Sequence, residues 1–226
     1  MFLGHFAVAM AAKRVAPSVS LGMLVAAAQF LDLLWPGFLL LGIEHAAIAP
    51  GITRFTPLDF YDYPYSHSLL MVVGWGIMAG AAYFLLRRRG RLAVVIAALV
   101  VSHWVLDFIV HRPDLPLWPG GGWYAGLGLW NSVVGTLLLE TAIFVWGVLT
   151  YARTRRSNSG ARHAWYWVFV SVLFIIYLGS AFGPPPPGMQ AVAWVGMAQW
   201  LLVLWAWWLD SSRTSIPESR DSLTRS

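Results

Sequence analysis

Residues 92–111 read LAVVIAALVVSHWVLDFIVH, an apolar run that is interrupted by His103, Asp107 and His111. As a helix rising about 1.5 Å per residue, the run can cross most of a ~30 Å hydrocarbon core. Residues four apart lie on one face of a helix, so the three titratable groups form a single column. Such a column needs polar partners, because an ionisable side chain in the middle of a membrane costs roughly 3 kcal/mol or more.

The composition of the whole chain indicates the same environment. Of the 226 residues, 58% are apolar and only 11% are charged, whereas ordinary soluble domains contain about 25% charged residues. We therefore expect the bilayer to be the solvent for most of the apolar surface. The chain has no cysteine, which excludes disulfides and thiolate metal ligands. The net charge of +5 lies in short clusters and forms no patch typical of nucleic-acid binding.

Hydropathy predicts an all-α integral membrane protein, a polytopic bundle of about six long transmembrane helices with a short N-terminal helix. The predicted spans are residues 19–41, 66–86, 92–110, 128–150, 164–182 and 190–209. Residues 1–12 are too short to cross alone and lack the basic start of a cleavable signal. We expect one transmembrane domain over residues 1–210 and a disordered cytoplasmic tail over residues 211–226.

The positions of Lys and Arg predict the orientation of the bundle. Four basic clusters lie at 13–14, 87–91, 153–162 and 213–225. With six crossings, all four clusters fall on one side, which the positive-inside rule makes cytoplasmic. The C-terminus is then cytoplasmic, and the loops at 42–65, 111–127 and 183–188 face outward. Nearly every titratable group within the membrane falls in the outer half.

The convergence of these polar groups predicts a metal site. Asp32, His67 and Glu140 lie on the first, second and fourth long spans, and His103 and Asp107 lie on the third. Imidazole and carboxylate groups that meet at one point suit Zn, Mn or Fe. In the simpler alternatives, His103 and Asp107 satisfy each other as an i, i+4 pair, and Glu140 is a neutral buried acid. For the outer-loop residues we expect only solvation; these are Glu44, His45, Asp59 and Asp62.

Five short blocks of sequence resemble the motifs of a known protein family. They are GH (4–5), QFLDLLWP (29–36), SHSLL (66–70), SHWVLD (102–107) and LPLWP (115–119). In this order, over roughly residues 1–120, they resemble the bacterial membrane-bound metal-dependent hydrolases. The resemblance implies a location in the bacterial cytoplasmic (inner) membrane. It also implies that the family's metal-binding positions are occupied here by His5, Asp32, His67, His103 and Asp107.

The chain departs from the family pattern in two places. The family's L-P-D-x-D-H motif is reduced to Asp32, with Leu31 and Leu33 beside it. The family's H-R-G-x-T-H-S motif becomes YDYPYSHS at residues 61–68, so the upstream His-Arg pair is missing. Both departures bear on the ligands that such a site would offer.

Residues and resemblance together predict a membrane-embedded metal-dependent hydrolase that acts on a lipid-like or phosphoester substrate near the outer face. The expected cofactor is a divalent metal, Zn first, with Mn or Fe as alternatives. His111 or Glu140 is expected to move the proton. Ser68 and Asn131 are expected to orient ligands or substrate. The expected partners are membrane lipids and a lipid-like substrate, with no nucleic acid and an oligomeric state left open.

Two other functions stay open on the sequence. A transporter or permease would use the His/Asp cluster as an ion or proton site. Such a pathway needs polar groups in both halves of the membrane, and here the inner half is nearly empty of them. A non-catalytic, metal-stabilised membrane protein would instead hold its ion in a closed coordination sphere.

Overall fold

The computed structural model describes residues 1–157, 160–211 and 213–215, and it is mostly helical (69%). Apolar runs with few breakers form helices, because a helix satisfies its own backbone hydrogen bonds within lipid. Within the described residues the helices are α1 (Phe2–Ala12), α2 (Leu21–Ala28), α3 (Phe30–Leu40), α4 (Pro64–His67), α5 (Leu69–Arg87), α6 (Gly90–Val110), α7 (Val133–Thr154), α8 (Gly160–Phe182), α9 (Met189–Met197) and α10 (Gln199–Asp210).

Several of these helices are long and apolar enough to cross a membrane. Five qualify by length and composition; they are Leu69–Arg87, Gly90–Val110, Val133–Thr154, His163–Phe182 and Met189–Asp210. The bent pair α2 and α3 adds a sixth if it is counted as one span. The short N-terminal helix is confirmed as α1, whose side chains are nearly all buried among the other helices. The architecture is that of a multi-pass helical bundle.

The continuous first span predicted over residues 19–41 is wrong. Helices α2 and α3 meet at 59°, and Gln29 between them leaves helical geometry with φ −95° and ψ 8°. Ser20 caps the start of α2 by accepting a hydrogen bond from the Met23 amide. The bend leaves the Ala28 carbonyl available to a side chain of α6, and it turns α3 toward that helix. Hydropathy does not detect such a bend, because both halves are equally apolar.

Two predicted helix starts lie too early along the chain. His67 belongs to the one-turn helix α4, and Ser68 is extended (φ −71°, ψ 142°) before α5 begins at Leu69. Asn131 ends a short 3-10 turn, Leu129–Asn131, and α7 begins only at Val133. In both places, irregular backbone holds the side chains near the membrane surface. Hydropathy does not detect these short segments, because it is averaged over a longer window of residues.

Short antiparallel strand pairs join the helices. They are β1 (His45–Ile48) with β2 (Leu58–Asp62), β3 (Leu115–Pro116) with β4 (Tyr124–Ala125), and β5 (Arg155–Ser157) with β6 (Arg213–Ser215). We call the end of the bundle that carries residues 41–68 and 111–132 the loop face. Most of the predicted tail, 211–226, lies outside the described residues.

Helix α1 begins near the loop face, lies inside the bundle and packs against α7, α2 and α6. Gly147 of α7 permits this close approach, since a Cβ at that position would lie 2.4 Å from the Ala7 carbonyl oxygen. Glycine is needed there for the contact between two backbones and not for its conformation. This packing brings the start of α1 beside the polar end of α6.

Candidate metal centre

Five polar side chains converge at the loop-face end of the bundle. They are His5 from α1, Asp32 from α3, His67 from α4, and His103 and Asp107 from α6. Two overlapping groups that can hold a metal ion share His103, one with His5 and Asp107 and the other with Asp32 and His67. Within each group, the ligand atoms all lie within 4.8 Å of one another. All five residues predicted as metal-binding are therefore brought together.

The spacing of the donor atoms suits a small ion. The Nε2 atom of His103 lies 3.1 Å from Asp107 Oδ2 and 3.7 Å from Asp32 Oδ1. The Nε2 atom of His67 lies 3.7 Å from Asp32 Oδ1 and 3.9 Å from Asp107 Oδ2. A tetrahedral ion with bonds of ~2.0 Å holds its ligand atoms about 3.3 Å apart. Two imidazoles and two carboxylates can therefore surround one ion with small adjustments.

His103 is oriented for coordination by the bend in the first span. Its Nδ1 lies 2.8 Å from the Ala28 carbonyl oxygen and donates its hydrogen there. The lone pair then remains on Nε2, which is buried and faces the carboxylates of Asp107 and Asp32. A neutral imidazole nitrogen beside two carboxylates is a favourable position for a cation. This arrangement matches the histidines of metal sites, which commonly donate their second ring nitrogen to a carbonyl or carboxylate.

Asp107 is held by several groups at once. Its Oδ1 contacts the amino group of Met1 and lies 3.1 Å from His5 Nε2, while its Oδ2 faces His67 and His103. The His5 ring stacks on the His103 ring, with centroids 3.6 Å apart and planes 7° from parallel. His5 thus belongs to one candidate ligand group and also contacts the Asp107 carboxylate of that group, whose Oδ2 faces His67 of the other group.

His67 is oriented by a chain that the sequence did not indicate. Its Nδ1 lies 2.7 Å from Ser66 Oγ, and that hydroxyl donates at 2.6 Å to the carboxylate of Glu44. Glu44 also accepts the amides of Tyr65 and Ser66, each at 2.7 Å. The expectation that Glu44 is solvated is wrong, since it is 1% exposed. The carboxylate is stable there because three donors replace its water.

The two residues expected to orient ligands lie elsewhere in the structure. Ser68 Oγ is buried without a hydrogen-bond partner among the described residues, and the contact to His67 comes instead from Ser66. Asn131 is exposed and is not among the residues that line the site cavity. A repeated serine on either side of His67 left the sequence ambiguous, since the local turn decides which hydroxyl faces the ring.

A cavity of about 200 Å³ adjoins the candidate ligands. Asp32, His67 and Asp107 line it on one side, and His111 and Glu140 also line it. Its remaining wall is rich in aromatic side chains, namely Phe2, Trp35, Phe55, Phe60, Trp130 and Tyr177. Both residues predicted to move a proton therefore share one cavity with the candidate ligands.

His111 is placed to accept a proton within this cavity. Its Nδ1 lies 2.9 Å from Asp114 Oδ1, and Tyr63 donates to the same carboxylate oxygen at 3.2 Å. Burial lowers the pKa of His111 against the opposing effect of Asp114. Burial, with the Asp114 charge, raises the pKa of Tyr63. The neutral imidazole donates its Nδ1 hydrogen to Asp114, which leaves Nε2 as the acceptor.

Glu140 lines the cavity and also contacts helix α1. Its Oε2 accepts the backbone amide of Leu3 at 2.9 Å, within the first turn of α1. The first amides of a helix have no partner within that helix, and a carboxylate there satisfies one of them and complements the helix dipole. Glu140 therefore ties α7 to the start of the helix that carries His5.

Comparison with protein-family models, curated proteins and solved structures finds no match to this chain.

Proposed function

We propose that this protein is a metal-dependent hydrolase of the bacterial inner membrane that acts on a lipid-like or phosphoester substrate, with the loop face outside and the C-terminus cytoplasmic. One observation carries the proposal: Asp32, His67, His103 and Asp107, from three helices, bring their ligand atoms together, and both carboxylates face the buried Nε2 atom of His103. The resemblance of the sequence blocks to metal-dependent hydrolases supports it, since that resemblance implies metal-binding roles for these residues.

The donor set favours zinc, with manganese or iron as alternatives, because it combines neutral imidazole nitrogens with carboxylate oxygens. A divalent ion held there would supply Lewis-acid polarisation and an activated water. Asp32, His67, His103 and Asp107 would hold it, and His5 would hold Asp107 in position.

Other residues of the cavity are assigned to proton transfer. His111, kept neutral by burial and oriented by Asp114, accepts a proton at Nε2 as a general base. Glu140 lies in the same cavity and is the alternative carrier. The aromatic wall gives the cavity an apolar lining of low polarisability, which strengthens the electrostatic interactions within it.

A hydrolase accounts for the distribution of buried charge better than a transporter does. A second buried group of charges in the described residues, the ion pair of Lys13 with Asp210 at 2.7 Å, lies at the opposite end of the bundle. A transport pathway needs polar side chains between its two ends. In the described residues, the other buried polar side chains lie at the site or toward the loop face, including Thr136 in the first turn of α7.

Metal analysis of the purified full-length protein tests the proposal. We expect about one equivalent of Zn, Mn or Fe per chain in the wild type, and loss of that metal in His103→Ala and Asp107→Asn. His163→Ala is the matched control, because His163 is exposed and far along the chain from the site. If the wild-type protein remains metal-free after supplementation with each of these ions, the proposal of a metal site is wrong.

The hydrolase itself needs a second measurement. The metal-loaded protein is screened against phosphoester and phospholipid substrates, and His111→Gln should lose most of the turnover while it retains the metal. General acid–base catalysis contributes about 100-fold or more to rate, which sets the size of the loss. A loaded protein that turns over none of these substrates would favour the non-catalytic, metal-stabilised alternative.

A further inference from the structure

A groove larger than the site cavity lies beside it at the loop face. Its volume is about 450 Å³, and it lies between residues 50–58 of the loop that joins β1 to β2 and the end of α8 with the following turn. We call it the α8 groove. Its lining includes Arg54 and Phe55 from the loop, Ile176, Gly179 and Ser180 from α8, and the prolines at 184–186.

The α8 groove and the site cavity are neighbours with a shared wall. Phe55, Thr56, Leu58 and Ser180 line both spaces. A thin partition of one loop segment and one helical residue therefore separates the groove from the candidate metal ligands. An elongated ligand that lies in the groove can place one end at this partition.

The α8 groove also continues onto the outer surface of the bundle. α8 contains one of the spans long enough to cross a membrane, and Ile175 and Ile176 near its end are 66% and 38% exposed. Gly179 leaves the groove open, because a Cβ at that position would meet no atom within 4 Å. A lipid tail that lies against this part of α8 would enter the groove without crossing a barrier of packed side chains.

The charge at the groove favours an anion. Two arginines lie on the loop face, and Arg112 is neutralised by ion pairs with Asp59 and Asp114. Arg54 is exposed and forms no ion pair with any residue in the part of the chain that the structure describes. An arginine near the membrane surface binds phosphate oxygens through charge-assisted hydrogen bonds.

We infer that the α8 groove binds an anionic phospholipid-like amphiphile, with its phosphate at Arg54 and an apolar chain along Ile176 and Gly179. With the ligand in this position, the polar group attached to its phosphate lies at the partition between the groove and the site cavity. The inference rests on the proposed function, for which it names the substrate class. It depends on the groove, on Arg54 and on the open surface at Gly179, none of which belongs to the candidate ligand set.

Photo-crosslinking of the full-length protein tests the inference. The protein is placed in phosphatidylcholine nanodiscs that contain a phosphatidylglycerol probe with a diazirine in one acyl chain, and the adducts are mapped by mass spectrometry. We expect adducts on residues 50–58 and 176–186. Arg54→Gln and Gly179→Leu should each reduce this labelling about tenfold, as expected for the loss of one charged hydrogen bond or of the space for a chain.

Gly74→Leu is the matched control, since Gly74 is exposed on α5 and a Cβ there also meets no atom within 4 Å. A phosphatidylcholine probe with the same diazirine tests the need for an anionic headgroup. Equal labelling by both probes, or equal labelling of all three variants, would overturn the groove assignment. Metal content measured on the same samples separates this result from failure of the metal site, because none of the three substitutions alters a candidate ligand.

Discussion

At the residue scale, the site depends on how each histidine is held by its second ring nitrogen. His103 donates to the Ala28 carbonyl, and His67 donates to the Ser66 hydroxyl, which is held in turn by Glu44. Each contact leaves Nε2 as the free donor atom for a metal. Such outer contacts fix the ring orientation and raise the basicity of the ligand nitrogen.

Ser66→Ala is expected to weaken metal binding about 10- to 100-fold, because it removes the partner of His67 Nδ1 and one donor to Glu44. Affinity is measured by competition with a chelator of known strength. Ser68→Ala is the matched control, since Ser68 Oγ has no hydrogen-bond partner among the described residues. Equal affinities of the two variants would contradict the role given to Ser66.

A second prediction at this scale concerns the effect of His111 on how the stability of the fold depends on pH. Its pKa in the folded protein is lowered by burial from the ordinary value of 6.5. As the pH falls below that value, the unfolded chain binds a proton that the folded protein resists, so stability is lost. We expect His111→Gln to lose less thermal stability than the wild type between about pH 7 and about pH 5. The exposed His163→Gln should follow the wild type, and parallel curves for His111→Gln and the wild type would contradict the prediction.

At the scale of elements, α1 and the bend between α2 and α3 build the site. Helix α1 is too short to cross a membrane, but its burial beside α6 and α7 places His5 against Asp107. Glu140 holds the first turn of α1, and Gly147 admits its backbone. The bend at Gln29 turns α3 so that Asp32 meets His67 and His103.

Gly147→Ala tests the packing of α1. The added Cβ would lie 2.4 Å from the Ala7 carbonyl oxygen, and backbone atoms cannot give way without shifting the helix. We expect a loss of about 1–3 kcal/mol in stability together with weaker metal retention, since α1 carries His5. Thermal unfolding in detergent and metal analysis measure the two effects. Gly74→Ala makes the same change where the Cβ meets nothing within 4 Å, and an equal effect there would contradict the argument.

At the scale of the whole molecule, a buried ion pair ties the far end of α1 to the end of α10. Lys13 Nζ lies 2.7 Å from Asp210 Oδ2, which also accepts the Leu21 amide at 3.0 Å at the start of α2. Tyr151 of α7 donates to Asp210 Oδ1 at 3.0 Å. One carboxylate thus joins the first and last helices with α2 and α7, and it holds α1 along the axis of the bundle.

Asp210→Ala is expected to destabilise the fold by about 3–5 kcal/mol, because it removes one partner of a buried ion pair and the hydrogen bonds from Leu21 and Tyr151. The double variant Lys13→Met with Asp210→Leu should recover much of that loss, since it removes both charges of the pair. Asp62→Ala is the exposed control; its ion pair with His45 is about half exposed and contributes little. A small effect of Asp210→Ala in thermal unfolding would contradict the structural role of the pair.

The sequence by itself determined the helical bundle and the composition of its site. Apolar runs long enough to cross a membrane must form helices, because no water is present to satisfy their backbone. Titratable side chains in those runs must find one another, because each is costly alone. This argument predicted that Asp32, His67, His103 and Asp107 lie together, and the structure brings them within a few ångströms.

Only the tertiary structure decided how these residues are held. The bend at Gln29, the choice of Ser66 instead of Ser68, and the burial of Glu44 depend on contacts between segments far apart in sequence. Hydropathy averages over such details, since a bent helix and a straight one have the same apolar composition. The direction of a hydroxyl or a carboxylate is set by the partners that surround it, and those partners exist only in the folded bundle.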